Sequence, residues 1–202
     1  MSDLIIHNYE QGTDEWLQDR LGIATASCFG EIIAKGRGNQ PSARRTTYMH
    51  KLAAERLTGE LTSRFSSAAT DRGHEQEPEA RSAYEFISGN TVEQIGFARR
   101  GDVGCSPDGL VDDDGAIEIK SKAPHILIPV LLADEVPAEH KAQCQGVLWV
   151  MEREWIDFIA YYPTMKPMIK RMVRDEEYIK DMADKVAVFN DELNELVNKL
   201  KA

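Results

Sequence analysis

Three observations place this chain in the mixed α/β (α+β) class, with a mixed central sheet flanked by helices. Helical periodicity dominates the N-terminal part. A cluster of short alternating segments follows, then a helix, further strands and a long terminal helix. That order of elements builds a sheet covered by helices rather than a bundle or a sandwich. The length agrees, because 202 residues suit one domain, 1–202, with a sizeable core.

Each element has a local reason. Thr13 is an N-cap candidate, with Trp16, Leu17 and Leu21 on one helical face before Gly22. Thr25 opens a second helix through Ile32 and Ile33. GRGNQPSA, 36–43, reads as a mobile loop. A helix from about Arg44 to Thr58 ends at Gly59, a natural C′ residue. Another runs through Glu79, Ala80, Tyr84, Phe86 and Ile87 to Gly89. Strands are expected at Thr91–Ile95, Val103–Val111 and Ala116–Lys120. DDDG is the turn between the last two, its glycine at a position tolerant of positive φ. Pro137 suits the first turn of a helix continuing through Ala142, Val147, Leu148 and Val150. Trp155–Tyr162 and Met168–Val173 read as strands. From Asp175 to Leu200, Ile179, Met182, Val186, Phe189, Leu193, Leu196 and Leu200 step by three or four along a helix.

Composition excludes several classes. The opening MSDLIIHNYE has neither a basic nor an apolar signal region, so no signal peptide is expected. The longest apolar run, Ile126–Ala133, is broken by Pro129 and is too short to span a bilayer. Cys28, Cys105 and Cys144 are odd in number and widely spaced. They form neither a disulfide framework nor a zinc pattern, which suits a reducing, intracellular compartment.

The net charge of −10 argues at first against a nucleic-acid partner. Its distribution qualifies that. Residues 66–163 carry the whole excess, with eight basic and eighteen acidic side chains. Lys35, Arg37, Arg44, Arg45 and Lys51 form one basic flank; Lys166, Lys170, Arg171 and Arg174 form another. An acidic centre between basic flanks suits metal binding beside phosphate contacts, but charge alone favours a solvated acidic surface with chance basic clusters.

The centre of interest is CSPDGLVDDDGAIEIK, Cys105–Lys120. Period two sends Ile117 and Ile119 to one face and Glu118 and Lys120 to the other. The turn folds the preceding segment back, bringing Asp108 to Glu118. Two carboxylates then converge, and the carbonyl of Ile119 offers a further oxygen. Mg²⁺ takes one or two carboxylates with waters and substrate phosphate. A neighbouring ammonium orients water or stabilises charge on phosphorus. Asp108, Glu118 and Lys120 are therefore a minimum set for metal-assisted phosphodiester hydrolysis. An ordinary hairpin carries the same letters, so the pattern alone leaves both readings open.

Five segments occur in one order: WLQDRLGIATAS from Trp16, RGHEQEPEAR from Arg72, CSPDGL from Cys105, EIK from Glu118 and AQCQGVLW from Ala142. Together they resemble the phage lambda exonuclease or YqaJ-type recombinase family, within the PD-(D/E)xK nuclease class. The resemblance runs from about Trp16 to Tyr162. It implies a restriction-endonuclease-like core and a processive 5′ to 3′ exonuclease that uses Mg²⁺, or Mn²⁺ in its place. The substrate implied is double-stranded DNA with a 5′-phosphorylated end. A homotrimeric ring, a single-strand annealing partner, a bacterial host cytoplasm and a phage or prophage gene follow from the same resemblance. By position, Asp108 and Glu118 resemble metal-binding carboxylates, with the Ile119 carbonyl beside them. Lys120 resembles the catalytic lysine, and Glu77 the helical glutamate of the metal and water network. Arg20, Ser27, Ser106 and Gln143 fall where the family binds the terminal 5′ phosphate. One position departs: Ala98 stands where the lambda pattern has a further acid, and Asp102 lies at another spacing.

Other residues read as structural. Gln143 and Gln145 are two apart and cannot share a helix face, so Gln143 is assigned to the site. His74, His125 and His140 show no metal-ligand spacing. Trp16, Trp149 and Trp155 are expected in the core, and Glu75 and Glu79 in solvent. Two readings compete with the exonuclease: a structure-specific endonuclease of the same core, and a non-catalytic module that binds DNA ends.

Overall fold

The computed structural model describes residues 3–38, 40–62 and 68–202, with nothing said of the side chains of 68–72 and 74. The first part of the chain forms β1 (Leu4–His7), α1 (Asp14–Arg20), β2 (Ala24–Thr25), α2 (Ala26–Ile33), α3 (Ala43–Thr58) and α4 (Ala68–Ser88). Five strands follow: β3 (Val92–Glu93), β4 (Phe97–Arg100), β5 (Val103–Cys105), β6 (Gly109–Val111) and β7 (Gly115–Ser121). The chain closes with α5 (Pro124–Ala133), α6 (Ala138–Met151), β8 (Trp155–Tyr161), β9 (Met168–Val173) and α7 (Glu176–Lys201).

Two sheets result. One has the order β1-β4-β5-β2, the other β3-β6-β7-β8-β9. The larger is mixed: β7 and β8 run parallel, Glu118 opposite Phe158, and its other neighbours are antiparallel. A parallel pair needs a long crossover, and here α5 and α6 supply it.

β7 is buried on both faces. Ile117 and Ile119 join Ala80 and Tyr84 of α4, with Ile159 and Tyr161 of β8, in a small core. Ala116, Phe158 and Ala160 face the larger core, which includes residues of α2, α3, α6 and α7. Glu118 therefore lies on that face between the buried Ala116 and Lys120. α6 is buried on most sides, through Ala142, Cys144, Gln145, Val147, Leu148 and Val150. Gln145 is structural: its amide donates to the Val173 carbonyl at 2.9 Å and its oxygen accepts from Asp175 N at 2.9 Å.

Caps and stripes follow the sequence in most places. Thr13 accepts from Trp16 N, Gly59 takes the left-handed cap at φ +71°, and Asp175 caps α7. Thr25 is an N-cap without a side-chain bond. On α7 the stripe ends at the buried Val197, while Leu200 is exposed.

Several expectations change. Val103–Val111 is two strands in two sheets, separated by Ser106-Pro107-Asp108. Thr91–Ile95 narrows to Val92–Glu93. The positive φ of the DDDG turn lies at Asp112, +47°, and Gly115 is already strand. Gly115 is required for another reason: an added Cβ would lie 2.1 Å from the Trp155 ring. That ring is held in turn by Arg171, whose guanidinium stacks 3.4 Å from its centre. Pro129 does not break its segment; α5 continues through it, and Pro129 only lacks the bond to the His125 carbonyl.

Three of the four cations of the basic flank at 164–174 have partners within the molecule, and Lys166 is exposed. Lys170 pairs with Asp134 at 2.6 Å, and Arg174 with Glu176 at 2.5 Å. Arg171 donates twice, at 2.9 Å, to the buried Asp157, which also accepts from the Tyr84 hydroxyl at 2.8 Å. Arg171 thereby fastens β9 to β8 and α4. No helix among the described residues is long and apolar enough to cross a membrane.

Replacing Gly115 by alanine is expected to lower unfolding stability by about 1–3 kcal/mol through overpacking against Trp155. Urea denaturation followed by tryptophan fluorescence measures it, and an unchanged midpoint would contradict the packing described.

Candidate active site

Asp108 lies where β6 meets the loop from the other sheet. Its amide donates to the Ile117 carbonyl at 3.2 Å, and its Oδ2 accepts from Ile119 N at 2.6 Å. The carboxylate thus continues the β6–β7 ladder in place of a backbone partner. A residue in a strand points its N–H and C=O to one edge. The Ile119 carbonyl therefore faces the same edge as Asp108, past the end of β6.

Glu118 is 1% exposed. Its Oε1 accepts from Lys120 Nζ at 2.5 Å and from Gln143 Nε2 at 2.6 Å. Its Oε2 is buried without a hydrogen-bond partner among the described residues. An unsatisfied carboxylate oxygen in the interior is costly, and a hard cation is the kind of partner that satisfies it. Among the described residues, no three His, Cys, Asp or Glu side chains gather into a metal cage by themselves. The available set is the two carboxylates of Asp108 and Glu118 with the Ile119 carbonyl. That set fits a Mg²⁺-type ion, which keeps waters and substrate oxygens in its remaining positions.

Electrostatics point the same way. Burial pushes Asp108 up to about 6, with Glu77 adding to the rise and Lys120 opposing it. Burial pushes Glu118 up to about 7 against the pull of Lys120, and Asp108 adds repulsion. Burial works against the charge of Lys120, but Glu118 and Asp108 overcome it and hold the ammonium protonated. Glu77 on α4 is also raised, by burial first, with Arg81 opposing and Glu118 adding. Asp108 and Glu118 repel one another, and Glu77 adds to the rise of Asp108, so a cation held between the first two would relieve them.

Arg81 was not singled out by the sequence reading. It donates to Glu77 Oε1 at 2.5 Å and to the Asp108 carbonyl at 3.2 Å, so one guanidinium positions both acidic residues. The available signal was the i, i+4 Glu77–Arg81 spacing on a helix.

Arg20, Ser27, Ser106 and Gln143 line one cavity of about 90 Å³. Arg20 NH1 donates to Ser106 Oγ at 3.0 Å. Trp16, expected in the core, is half-buried instead. Its indole donates to Ser106 Oγ at 2.9 Å, and its ring lies 4.2 Å beneath the Arg20 guanidinium. Burial lowers the pKa of Arg20, and no carboxylate pairs with it among the described residues. α2 begins at the cavity with a cap that supplies no side-chain acceptor. A desolvated guanidinium, two hydroxyls and a helix N-terminus are donors of the kind an anion takes. Gln143 joins it to Glu118. Gln11 also escaped the sequence reading: it donates to the Ile95 and Pro107 carbonyls, lines this cavity, and borders a cleft of about 420 Å³ beside Glu77 and Arg81.

Other assignments resolve as follows. Ala98 is fully buried in β4 opposite Cys105, and Asp102 is exposed beside Arg99, so neither brings an acid to the site. Glu75, Glu79 and His125 are exposed, and the His74 side chain lies outside the described residues. Trp149 and Trp155 are partly buried against the two cores. His140 is the exception among the histidines, packing beside Lys122 at the edge of the site.

The family model of the YqaJ-like viral recombinase domain matches residues 15–154. The chain belongs to that family. It is similar to the alkaline exonuclease LHK-Exo of Laribacter hongkongensis, at 33% identity and TM-score 0.86, over 94% of this chain and 96% of that one. The same enzyme in complex with dAMP matches at 33% identity and TM-score 0.85 over the same shares. A phage-related exonuclease of Haemophilus somnus 129PT shares the fold at TM-score 0.67 and 14% identity, over 88% and 96% of the two chains. No curated protein matches the chain. Membership of this family supports a nuclease role for a mixed α/β chain of this kind.

Mg²⁺ is expected to raise the thermal midpoint by a few degrees, because it binds only the folded site and relieves Asp108 and Glu118. Glu118→Gln removes most of that response while melting no lower than the unaltered protein without metal. Differential scanning fluorimetry with Mg²⁺ and EDTA measures both, and an equal response in the variant would place the ion elsewhere.

Proposed function

We propose that the chain is a single metal-dependent exonuclease domain acting on linear double-stranded DNA from the 5′ end. It digests one strand processively and leaves a 3′ single-stranded tail for annealing. One observation carries this reading: Gln143 belongs both to the carboxylate site, through Glu118, and to the small anion pocket of Arg20, Ser27 and Ser106. An anion pocket of about 90 Å³ beside a hydrolytic centre suits a terminal phosphate better than a continuous chain. The dAMP complex of the Laribacter enzyme is consistent with a deoxynucleoside monophosphate as the product class.

In this reading Asp108, Glu118 and the Ile119 carbonyl hold Mg²⁺ or Mn²⁺, and Glu77 completes the water network. An ion held there would supply polarisation of a phosphoryl oxygen and a lower pKa for its water. Arg20, Ser27 and Ser106 grip the terminal 5′ phosphate, and Gln143 registers it against Glu118. Lys120 places its ammonium where charge develops on the scissile phosphate, as expected of the PD-(D/E)xK class. Arg81 keeps Glu77 and the Asp108 loop in place. A homotrimeric ring around the duplex, a single-strand annealing partner, and action in the cytoplasm of a bacterial host complete the proposal on the strength of family membership.

The test is a linear duplex labelled on each strand, with a 5′ phosphate or a 5′ hydroxyl, in Mg²⁺ or EDTA. Mononucleotides are expected from 5′ ends only, with Mg²⁺ only and faster from phosphorylated ends, while a closed circle stays intact. Lys120→Ala is expected to lose on the order of 10³-fold in rate with DNA binding retained. Arg20→Ala is expected to lose most of the preference for the phosphorylated end. Binding without release would favour a DNA-end-binding module, and cutting of the circle an endonuclease.

A further inference from the structure

Beyond Lys120 the site continues. Lys122 N donates to the Tyr161 carbonyl at 3.0 Å, which extends the β7–β8 ladder by one step. Glu118, Lys120 and Lys122 therefore follow one period-two series and face the same side. Lys122 Nζ lies 3.2 Å from His140 Nε2. An ammonium has no lone pair, so the imidazole nitrogen accepts. The His140 ring stacks on Phe158, 5.0 Å between centres, which fixes it over the sheet.

The pair is poorly neutralised. The Lys122 side chain is 14% exposed and that of His140 15%. Their nearest carboxylate is Glu139, 3.8 Å from Lys122 and 3.6 Å from His140, on a side chain 70% exposed. A screened surface carboxylate at that distance contributes little. α5 starts two residues further on with a cap that gives no side-chain acceptor, so its positive end adds to the cation. A largely buried ammonium whose acidic partner is an exposed carboxylate at 3.8 Å keeps room for an anion.

Its position in the row gives the ligand. His140, Gln143 and Val147 step by three and four along α6. Val147 and Gln143 line the terminal pocket, Gln143 reaches Glu118, and His140 reaches Lys122. The order is pocket, carboxylates, Lys120, then Lys122 with His140. Same-face neighbours on a strand are roughly 7 Å apart, on the order of the spacing of successive phosphates in one nucleic-acid strand.

We propose that Lys122 and His140 form a further phosphate subsite, which holds the phosphodiester next to the scissile one, on its 3′ side, in the strand being digested. This rests on the exonuclease reading above. Lys122 makes the contact, and His140 is a positioning residue that keeps its ammonium aimed along the row. The subsite takes up the next phosphate each time the strand advances by one nucleotide, which sets the register of the following scissile bond.

The experiment uses the full chain with Mg²⁺ and 5′-phosphorylated duplexes carrying a neutral methylphosphonate between the second and third nucleotides, or none. Single-turnover release of the first nucleotide is measured for the unaltered protein, Lys122→Met and Lys122→Arg. The unaltered protein is expected to lose about tenfold or more on the neutral linkage, the scale of one charge-assisted contact. Lys122→Met loses a similar factor on natural DNA and little further on the neutral linkage. Lys122→Arg keeps most of the discrimination. The salt dependence of binding falls by about one in slope for Lys122→Met. Losses that simply multiply in Lys122→Met overturn the subsite. So does an unaltered protein that treats both duplexes alike, whether or not the variants fold. Release of no nucleotide from either duplex by the unaltered protein would instead remove the nuclease reading, and this subsite with it.

Discussion

The carboxylate of Glu118 is the feature around which this fold is arranged. It lies on a strand buried from both sides, on a face otherwise given to Ala116, Phe158 and Ala160. A charge there is tolerated only with partners brought to it. Lys120 comes from the same strand at no topological expense. Gln143 must come from elsewhere, and the parallel pairing of β7 with β8 brings it. Parallel strands require a crossover, the crossover contains α6, and α6 lies across the face that Glu118 occupies. The opposite face, under α4, brings Glu77 and Arg81. The acidic site is thus a consequence of sheet order, and its remaining unsatisfied atom, Glu118 Oε2, is what a cation would complete.

Much of this was legible in the sequence where the signal is local. Period two in Ile117–Lys120 assigned faces correctly, the DDDG turn returned the chain beside β7, and the three-four stepping of α7 marked its buried stripe. The two-apart spacing of Gln143 and Gln145 separated a residue that reaches Glu118 from one that bonds the Val173 carbonyl. What escaped depends on pairing between distant segments. β2 is two residues long and has no period of its own; it exists because β5 runs beside it. β4 needs β1. Arg81, Lys122 and His140 carry no motif that names a role, since each acquires one only when α4, β7 and α6 are stacked. The basic cluster at 164–174 has the same limit: a count of charges does not show that Asp157, Asp134 and Glu176 pair with Arg171, Lys170 and Arg174.

The single strand expected at Val103–Val111 is the instructive error. Its apolar residues alternate well enough, but Pro107 lacks an N–H for a ladder and the chain changes sheets around it. That change is what makes the site. Cys105 ends one sheet and Gly109 begins the other, and the three residues between them have three tasks. Ser106 turns into the anion pocket, where Trp16 and Arg20 both donate to it. Pro107 offers its carbonyl to Gln11. Asp108 docks on β7 through two bonds. A continuous strand would have put Ser106 and Asp108 on the same face of one sheet, with neither at a strand end.

That loop also sets a length. Ser106 and Asp108 are two residues apart, so their α-carbons are separated by roughly 7 Å at most. Gln143 bridges the same gap from the helix side, with one hydrogen bond to Glu118 and one wall of the pocket. Neither side can stretch without breaking the Asp108–Ile119 bond or the Gln143–Glu118 bond, and both lie in well-packed surroundings. Under the exonuclease reading, the distance between the bound end and the bond that is cut is therefore a property of the fold rather than of the substrate. A gap of that size holds one nucleotide between a terminal phosphate and a scissile one. Products longer than one unit would need Ser106 and Asp108 to move apart, and the sheet change at Pro107 holds them together.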